Sequence, residues 1–189
     1  MPLSVCNKVM EDKLLIWKFR RGSREALRRI YDKYHADLIK IAVVLTGGMN
    51  TAEDIAQDVF TKFAGQSERL TLSGSLRNYL ITSTINTVRN LRRDRLRHKT
   101  QNLDEADRLP CEQRRPDQWA IMNEQLEHLS VAMANLPYEQ REVITLRMEA
   151  DMTLRKIAEL QGTSVSTVQA RYRYGIERLR SLLNSEVTV

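Results

Sequence analysis

The stretch TLRKIAELQGTSVSTVQARYRYGIERLRSLL, residues 153–183, decides the fold. It opens on Thr153, a residue type that caps helices, and runs into a short amphipathic segment carrying Ile157, Ala158 and Leu160. Gly162-Thr163 interrupts the pattern. Ser164 then precedes a longer periodicity in which Val165, Val168, Tyr172, Ile176, Leu179 and Leu183 recur at three- and four-residue steps, so they share an inward face. Two capped helices joined by a glycine turn predict a helix-turn-helix, whose second helix places its N-terminal end in a DNA major groove. Ser166, Gln169, Ala170, Arg173 and Tyr174 project outward near that end. An ordinary helical hairpin with a solvated basic face competes for the same residues, because the spacing of Ala158, Gly162 and Val168 also suits simple close crossing.

Working outward, helical spacing recurs along the chain and strand signals are nearly absent. A first short helix is expected after Asp12, ending before Gly22, with Leu15, Trp17 and Phe19 among its apolar residues. Ser23 caps a second, in which Leu27, Ile30, Tyr34, Leu38, Ile41 and Leu45 recur until Gly47-Gly48 stops it. Thr51 opens a third, with Glu53 and Asp54 in its first turn and a buried stripe of Ile55, Val59, Phe60 and Phe63. A polar loop follows. The next helix, roughly Leu76 to Arg97, sets Leu80, Thr84, Val88 and Leu91 on one face and Tyr79, Thr82, Asn86, Arg89 and Arg93 on the other. Arg92, Arg95, Arg97 and Lys99 crowd the same end against Asp94 alone, so the charge there has one sign.

Residues 99–117 hold Pro110 and Pro116 and lack apolar periodicity, which reads as a flexible linker. Beyond it Trp119, Met122, Leu126, Leu129 and Met133 form a stripe that Leu136-Pro137 ends, and a helix with Val143, Ile144 and Leu146 leads to Thr153. The expected architecture is all-α: two small helical bundles, 12–98 and 118–185, joined by a flexible tether, the second containing the helix-turn-helix.

Composition is consistent with this. The 189 residues are 42% hydrophobic and 29% charged, enough for a core, with 30 Lys and Arg against 24 Asp and Glu. The net +6 is a weak pointer to nucleic acid that its clustering strengthens. Cys6 and Cys111 lack paired spacing, no N-terminal leader pattern is present, and no apolar run reaches the roughly 18 residues of a membrane span, so a cytoplasmic location without membrane insertion is expected. His35, His98 and His128 are not spaced as metal ligands, and Gly47-Gly48 lacks the lysine of a phosphate loop. No enzyme, metal site or cofactor is indicated.

Three further segments make the reading specific. Leu136 to Val143, Thr153 to Ala158 and Thr167 to Arg171 together resemble the fourth conserved region of bacterial sigma factors. Ala52 to Phe60 resembles the part of their second region that binds the polymerase clamp; Leu76 to Leu80, Asn86 and Arg92-Arg93 resemble the part that opens and reads the minus-ten element. The motifs stand in the family's order and cover most of residues 14–183, and the short chain is similar to the extracytoplasmic-function (group 4) type of the sigma-70 family, which keeps only the second and fourth domains.

The resemblance implies a transcription initiation factor that binds core RNA polymerase and promoter DNA, with room for an anti-sigma factor as a further partner. It places polymerase binding on Glu53, Asp54, Gln57, Asp58 and Phe60, and minus-ten contacts on Tyr79, Thr82, Asn86, Arg89, Arg92 and Arg93. Minus-thirty-five contacts fall on Ser166, Thr167, Gln169, Ala170, Arg171, Arg173 and Tyr174. Arg171 lies off the outward face and is expected at phosphate, whereas Gln169 has the donor and acceptor to read an adenine edge. Tyr79 and Leu76 stand where many relatives carry tryptophan and phenylalanine, Lys156 replaces a common glutamate, and Asp151 occupies a usual glycine position. A stand-alone helix-turn-helix regulator with an N-terminal sensing or dimerisation bundle explains the C-terminal half equally well. A structural adaptor explains neither half's cations.

Overall fold

The computed structural model describes residues 3–66, 72, 74–99 and 124–186. Eight α-helices occur among them and no strand: α1 (Leu3–Arg20), α2 (Arg24–Thr46), α3 (Met49–Ala64), α4 (Leu76–Lys99), α5 (Glu124–Ala134), α6 (Tyr138–Met148), α7 (Leu154–Gln161) and α8 (Val165–Glu186). Trp119, Met122 and the 99–117 tether, apart from Lys99 at the end of α4, lie outside the described residues.

The helix signals act largely where expected. Ser23 Oγ accepts the Ala26 N–H at 3.3 Å, and Gly47 ends α2 in the left-handed region at φ 79°, its N–H donating to Val43 O at 2.7 Å. Two starts differ from expectation. α1 begins at Leu3, well before Asp12, and α3 begins at Met49 with Gly48 as its N-cap rather than at Thr51. Glu53 and Asp54 therefore sit in the second turn of α3, away from the unpaired N–H groups that would have favoured them.

The first bundle packs α1, α3 and α4 around α2. Ile30, Leu38, Ile41, Leu45, Phe63, Leu76, Leu80, Ile81 and Ile85 are fully buried, and Phe19 stacks on Phe63 with ring centroids 4.7 Å apart. Burial of each such side chain contributes about 1.5–3 kcal/mol. Buried Asp12 on α1 accepts from Tyr34 Oη at 2.6 Å and Lys33 Nζ at 2.7 Å on α2, so a polar clamp fixes this pair. Burial and the neighbouring Asp12 carboxylate push the Tyr34 hydroxyl far above its usual range, which keeps it a donor.

In the second bundle α6 and α7 pack on α8, with Val143, Leu146, Ile157, Ala158 and Val168 buried. Thr153 Oγ1 accepts the Lys156 N–H at 3.3 Å, Gly162 adopts φ 62°, and Ser164 Oγ accepts the Thr167 N–H at 3.1 Å, so both helices of the motif are capped as the sequence predicts. Asp151 takes φ 53° at the position where a glycine is usual. Val165, expected inside, is 45% exposed, and the buried face of α8 begins at Val168.

The two bundles share a core, an arrangement on which the sequence is silent: Tyr138, Val143 and Leu146 of α6 join the cluster built by α2 and α4, and Val44 of α2 joins Ala132, Met133, Leu136, Ile144 and Leu179.

Candidate nucleic-acid interface

The residues expected at the polymerase lie on α3. Glu53, Asp54 and Gln57 are exposed and Asp58 is partly so, held by Lys62 Nζ at 2.6 Å one turn on. Phe60 does not share that surface. It is 6% exposed and packs beneath Tyr31, 4.8 Å between ring centroids, so it belongs to the core and supports the acidic face from below. That burial agrees with its place in the stripe also read from the sequence.

On α4, Asn86 and Arg93 are exposed, and Arg93 donates to Asn90 Oδ1 at 3.1 Å. Thr82 is half-buried; Tyr79 packs on Phe63 and donates to Gln66 Oε1 at 2.9 Å. Arg89 and Arg92 depart from the solvated, one-signed face expected of them. Arg89 donates to both carboxylate oxygens of Glu142 on α6, through Nε at 3.0 Å and through a short contact from Nη2, and its Nη1 donates to Leu160 O at 2.9 Å. Arg92 donates to Glu139 Oε1 at 3.1 Å and lies 4.6 Å over the Tyr138 ring. Two of the charges that looked unopposed in sequence, Arg89 and Arg92, are opposed across the bundles.

Electrostatics follow the geometry. Burial works to lower the Arg89 pKa, but the Glu142 hydrogen bonds and charge outweigh it and leave it raised. Burial works to raise the Glu139 carboxyl, and its own backbone N–H together with Arg92 hold it below the usual range. Arg141 is driven the other way: burial lowers its pKa, its guanidinium donates to Leu45 O at the C-terminal end of α2 at 3.4 Å, and its Nε is buried without a partner among the described residues.

On α8, Ser166, Gln169, Arg173 and Tyr174 are exposed, while Thr167 and Ala170 are half-buried. Arg173 leans on the Tyr174 ring at 4.9 Å and donates to its hydroxyl at 3.1 Å. Arg171, expected at phosphate, is half-buried and donates to Gln161 Oε1 at 2.7 Å, while Gln161 Nε2 reaches Glu142 Oε1 at 3.3 Å. Sequence reasoning passed over Glu139, Glu142 and Gln161. A signal was present: Glu139 and Glu142 stand three residues apart just after Leu136-Pro137, hence on one face of α6.

Two family models match the chain in order, Sigma-70 region 2 over residues 30–98 and Sigma-70, region 4 over residues 132–181, together more than half of its length. Among relatives, the ECF RNA polymerase sigma factor SigW of Bacillus subtilis (strain 168) is 24% identical over 183 residues, 90% of this chain and 96% of that protein. The ECF RNA polymerase sigma factor SigL of Mycobacterium tuberculosis (strain ATCC 25618 / H37Rv) is 29% identical over 161 residues, 83% of this chain and 88% of its own. The fold is shared with CnrH, solved in complex with the cytosolic domain of CnrY, at a TM-score of 0.64 and 20% identity over 93% of this chain and 98% of that one. It is shared too with the sigma factor RpoE of Bartonella quintana, solved with the anti-sigma factor NepR, at 0.62 and 21% over 83% and 96%. Two regions in the family's order, on the helices that the motifs occupy, leave one assignment: this chain belongs to the sigma-70 family of RNA polymerase sigma factors, in its extracytoplasmic-function group.

Proposed function

We propose that this sigma factor divides its work between the two bundles: 12–98 captures core polymerase through α3 and opens the minus-ten element with α4, and 118–185 docks α8 on the minus-thirty-five duplex. The observation that carries the reading is the α4 face, where exposed Asn86 stands among Arg89, Arg92 and Arg93 on one continuous helix. An extruded base needs a hydrogen-bonding edge, and the strand it leaves needs cations for its phosphates. Glu53, Asp54, Gln57 and Asp58 supply the polar face for the polymerase, with Phe60 as the buried support. Gln169 and Arg173 reach base edges while Ser166 and Thr167, at the N-terminus of α8, meet phosphate.

As an initiation factor the chain performs no catalysis of its own; the chemistry belongs to the polymerase. A cytoplasmic location follows from that partnership, and no described helix is long and apolar enough to cross a membrane. An anti-sigma factor is the further partner we propose, since the Bartonella RpoE was solved with the anti-sigma factor NepR and CnrH with the cytosolic domain of CnrY. The test is reconstitution. Purified chain added to core polymerase should co-elute with it and produce discrete transcripts from the host genome. Binding of duplex DNA without polymerase capture would instead favour a stand-alone regulator.

A further inference from the structure

Helix α1 is apolar on two faces. Leu15 and Phe19 turn inward to the core, whereas Met10, Leu14 and Trp17, at steps of four and three residues, form a stripe on the outer side, 67%, 53% and 51% exposed. Arg21, one turn beyond, lies over the Trp17 ring at 4.1 Å. Lys13 and Arg20 border one edge of the stripe and Lys18 the other, and Arg24 carries the charge past the turn into α2. All five cations are exposed, and among the described residues none of them is in an ion pair. The nearby carboxylate of Glu11 is held by Lys33 Nζ at 2.7 Å. Beside the stripe lies a groove of about 630 Å³ between α1 and Leu72, with Ile16 in its apolar lining and Lys13, Arg20 and Arg21 around it. The Sigma-70 region 2 match begins at residue 30, beyond α1, and no residue assigned above to polymerase or promoter DNA lies on this helix.

An apolar stripe ringed by one sign of charge calls for an anionic partner with an apolar interior. A second copy of the chain would bring like charges together. Duplex DNA would meet the cations and leave the stripe in water. A partner helix offers its charge along narrow edges, whereas these cations bracket the stripe on both sides and continue round a turn, which suits a continuous anionic plane. Tryptophan and the aliphatic stems of lysine and arginine also favour the boundary between lipid headgroups and acyl chains. We propose that the outer face of α1 docks the chain reversibly on an anionic lipid surface, with Met10, Leu14 and Trp17 among the headgroups and the five cations at lipid phosphates. A helix docked in this way lies in the plane of the surface and needs no spanning segment.

The test mixes the full chain with vesicles of phosphatidylcholine, alone or with phosphatidylglycerol, and measures bound protein by flotation. The wild-type chain should float with the anionic vesicles only, and less as salt rises. In a Trp119→Phe variant Trp17 is the one tryptophan left, and its emission should shift to the blue and be quenched by brominated acyl chains. Lys13→Gln with Arg20→Gln should weaken binding about thirtyfold, at about fivefold for each cation lost near the surface. Arg178→Gln with Arg180→Gln, the same charge loss at exposed positions on α8, should change it little. Leu14→Ser should weaken vesicle binding about tenfold and leave the dichroism spectrum and duplex-DNA affinity unchanged. No binding to anionic vesicles, equal losses in the α8 control, or Trp17 emission that stays fixed while the chain floats overturns the proposal. So does emission that ignores vesicles but shifts with a synthetic amphipathic helix of leucines and glutamates, which assigns the stripe to an acidic protein partner. Duplex-DNA affinity that falls with Leu14→Ser as far as vesicle affinity overturns it in favour of DNA.

Discussion

Gly162, at the turn of the helix-turn-helix, isolates one physical effect. Its φ of 62° closes α7, with its own N–H directed back to Ala158 O and Glu159 O and the Thr163 N–H to Ala158 O. A Cβ built there meets nothing within 4 Å, so Gly162→Ala introduces no clash and acts through the backbone alone. An L-residue in the left-handed region costs about 1–2 kcal/mol. Restriction of the unfolded chain by alanine offsets about 0.4–1 kcal/mol of that. The net expectation is a loss near 1 kcal/mol, a fall of about 2–4 °C in melting temperature for a chain of this size. Gly162→Asn should lose less, because a short polar side chain tolerates this conformation.

Asp151 provides the converse, since it already holds φ 53°. Asp151→Gly should therefore be neutral or stabilising by up to about 1 kcal/mol. Urea unfolding followed by circular dichroism checks both, with the denaturant slope unchanged. If Gly162→Ala matches wild type, or Asp151→Gly loses as much as Gly162→Ala, left-handed strain does not set the energetics of this turn and the reasoning is refuted.

Other expectations concern the interfaces. Asp58→Arg gives up a half-exposed pair with Lys62 that contributes only about 0.3–0.5 kcal/mol to the helix, yet should weaken capture of core polymerase by about 2–5 kcal/mol; unchanged capture with an intact dichroism spectrum would place the contact elsewhere. Asn86→Ala, at an exposed site, should leave stability within about 0.5 kcal/mol and slow permanganate-detected promoter melting without loss of polymerase binding; normal melting removes Asn86 from the strand-binding set. Gln169→Ala should relax specificity at one upstream base pair by about 1–3 kcal/mol with stability unaltered. Arg171→Ala breaks the link to Gln161 and should lower stability by about 1 kcal/mol as well as weakening duplex binding on every sequence, and binding titrations across salt with a base-varied promoter library separate the two.

What the sequence made legible was local. Caps at Ser23, Thr153 and Ser164, the stops at Gly47 and Gly162, and the stripes Ile55–Val59–Phe63 and Leu80–Thr84–Val88 are decided within one or two turns, so periodicity finds them. Boundaries without a strong signal drifted. Residues 3–12 are helical although they carry no regular stripe, and Gly48, read as a stop, serves α3 as its N-cap. Side-chain roles failed where a partner lies far along the chain. Arg89 and Glu142 are 53 residues apart and Arg141 and Leu45 are 96 apart, and no pattern within either helix encodes such a meeting. Phe60 shows the same limit, since one residue satisfied both a buried stripe and a polymerase motif and only packing against Tyr31 decides between them.

The cross-bundle contact joins arginines to glutamates rather than burying apolar side chains alone. An apolar seal gains free energy in proportion to area, and nothing in promoter DNA competes for it. An ion pair gains little net, because desolvation offsets most of the attraction. Its donors, moreover, are the groups a phosphate backbone binds most strongly. Arg89 and Arg92 are thus held by carboxylates that a phosphate could replace. Replacing Glu142 with an apolar side chain should accordingly leave Arg89 without its partner rather than tighten the closure. Its freed donors would then turn to water, while the Arg92–Glu139 pair and the Tyr138, Val143 and Leu146 packing would still hold the interface.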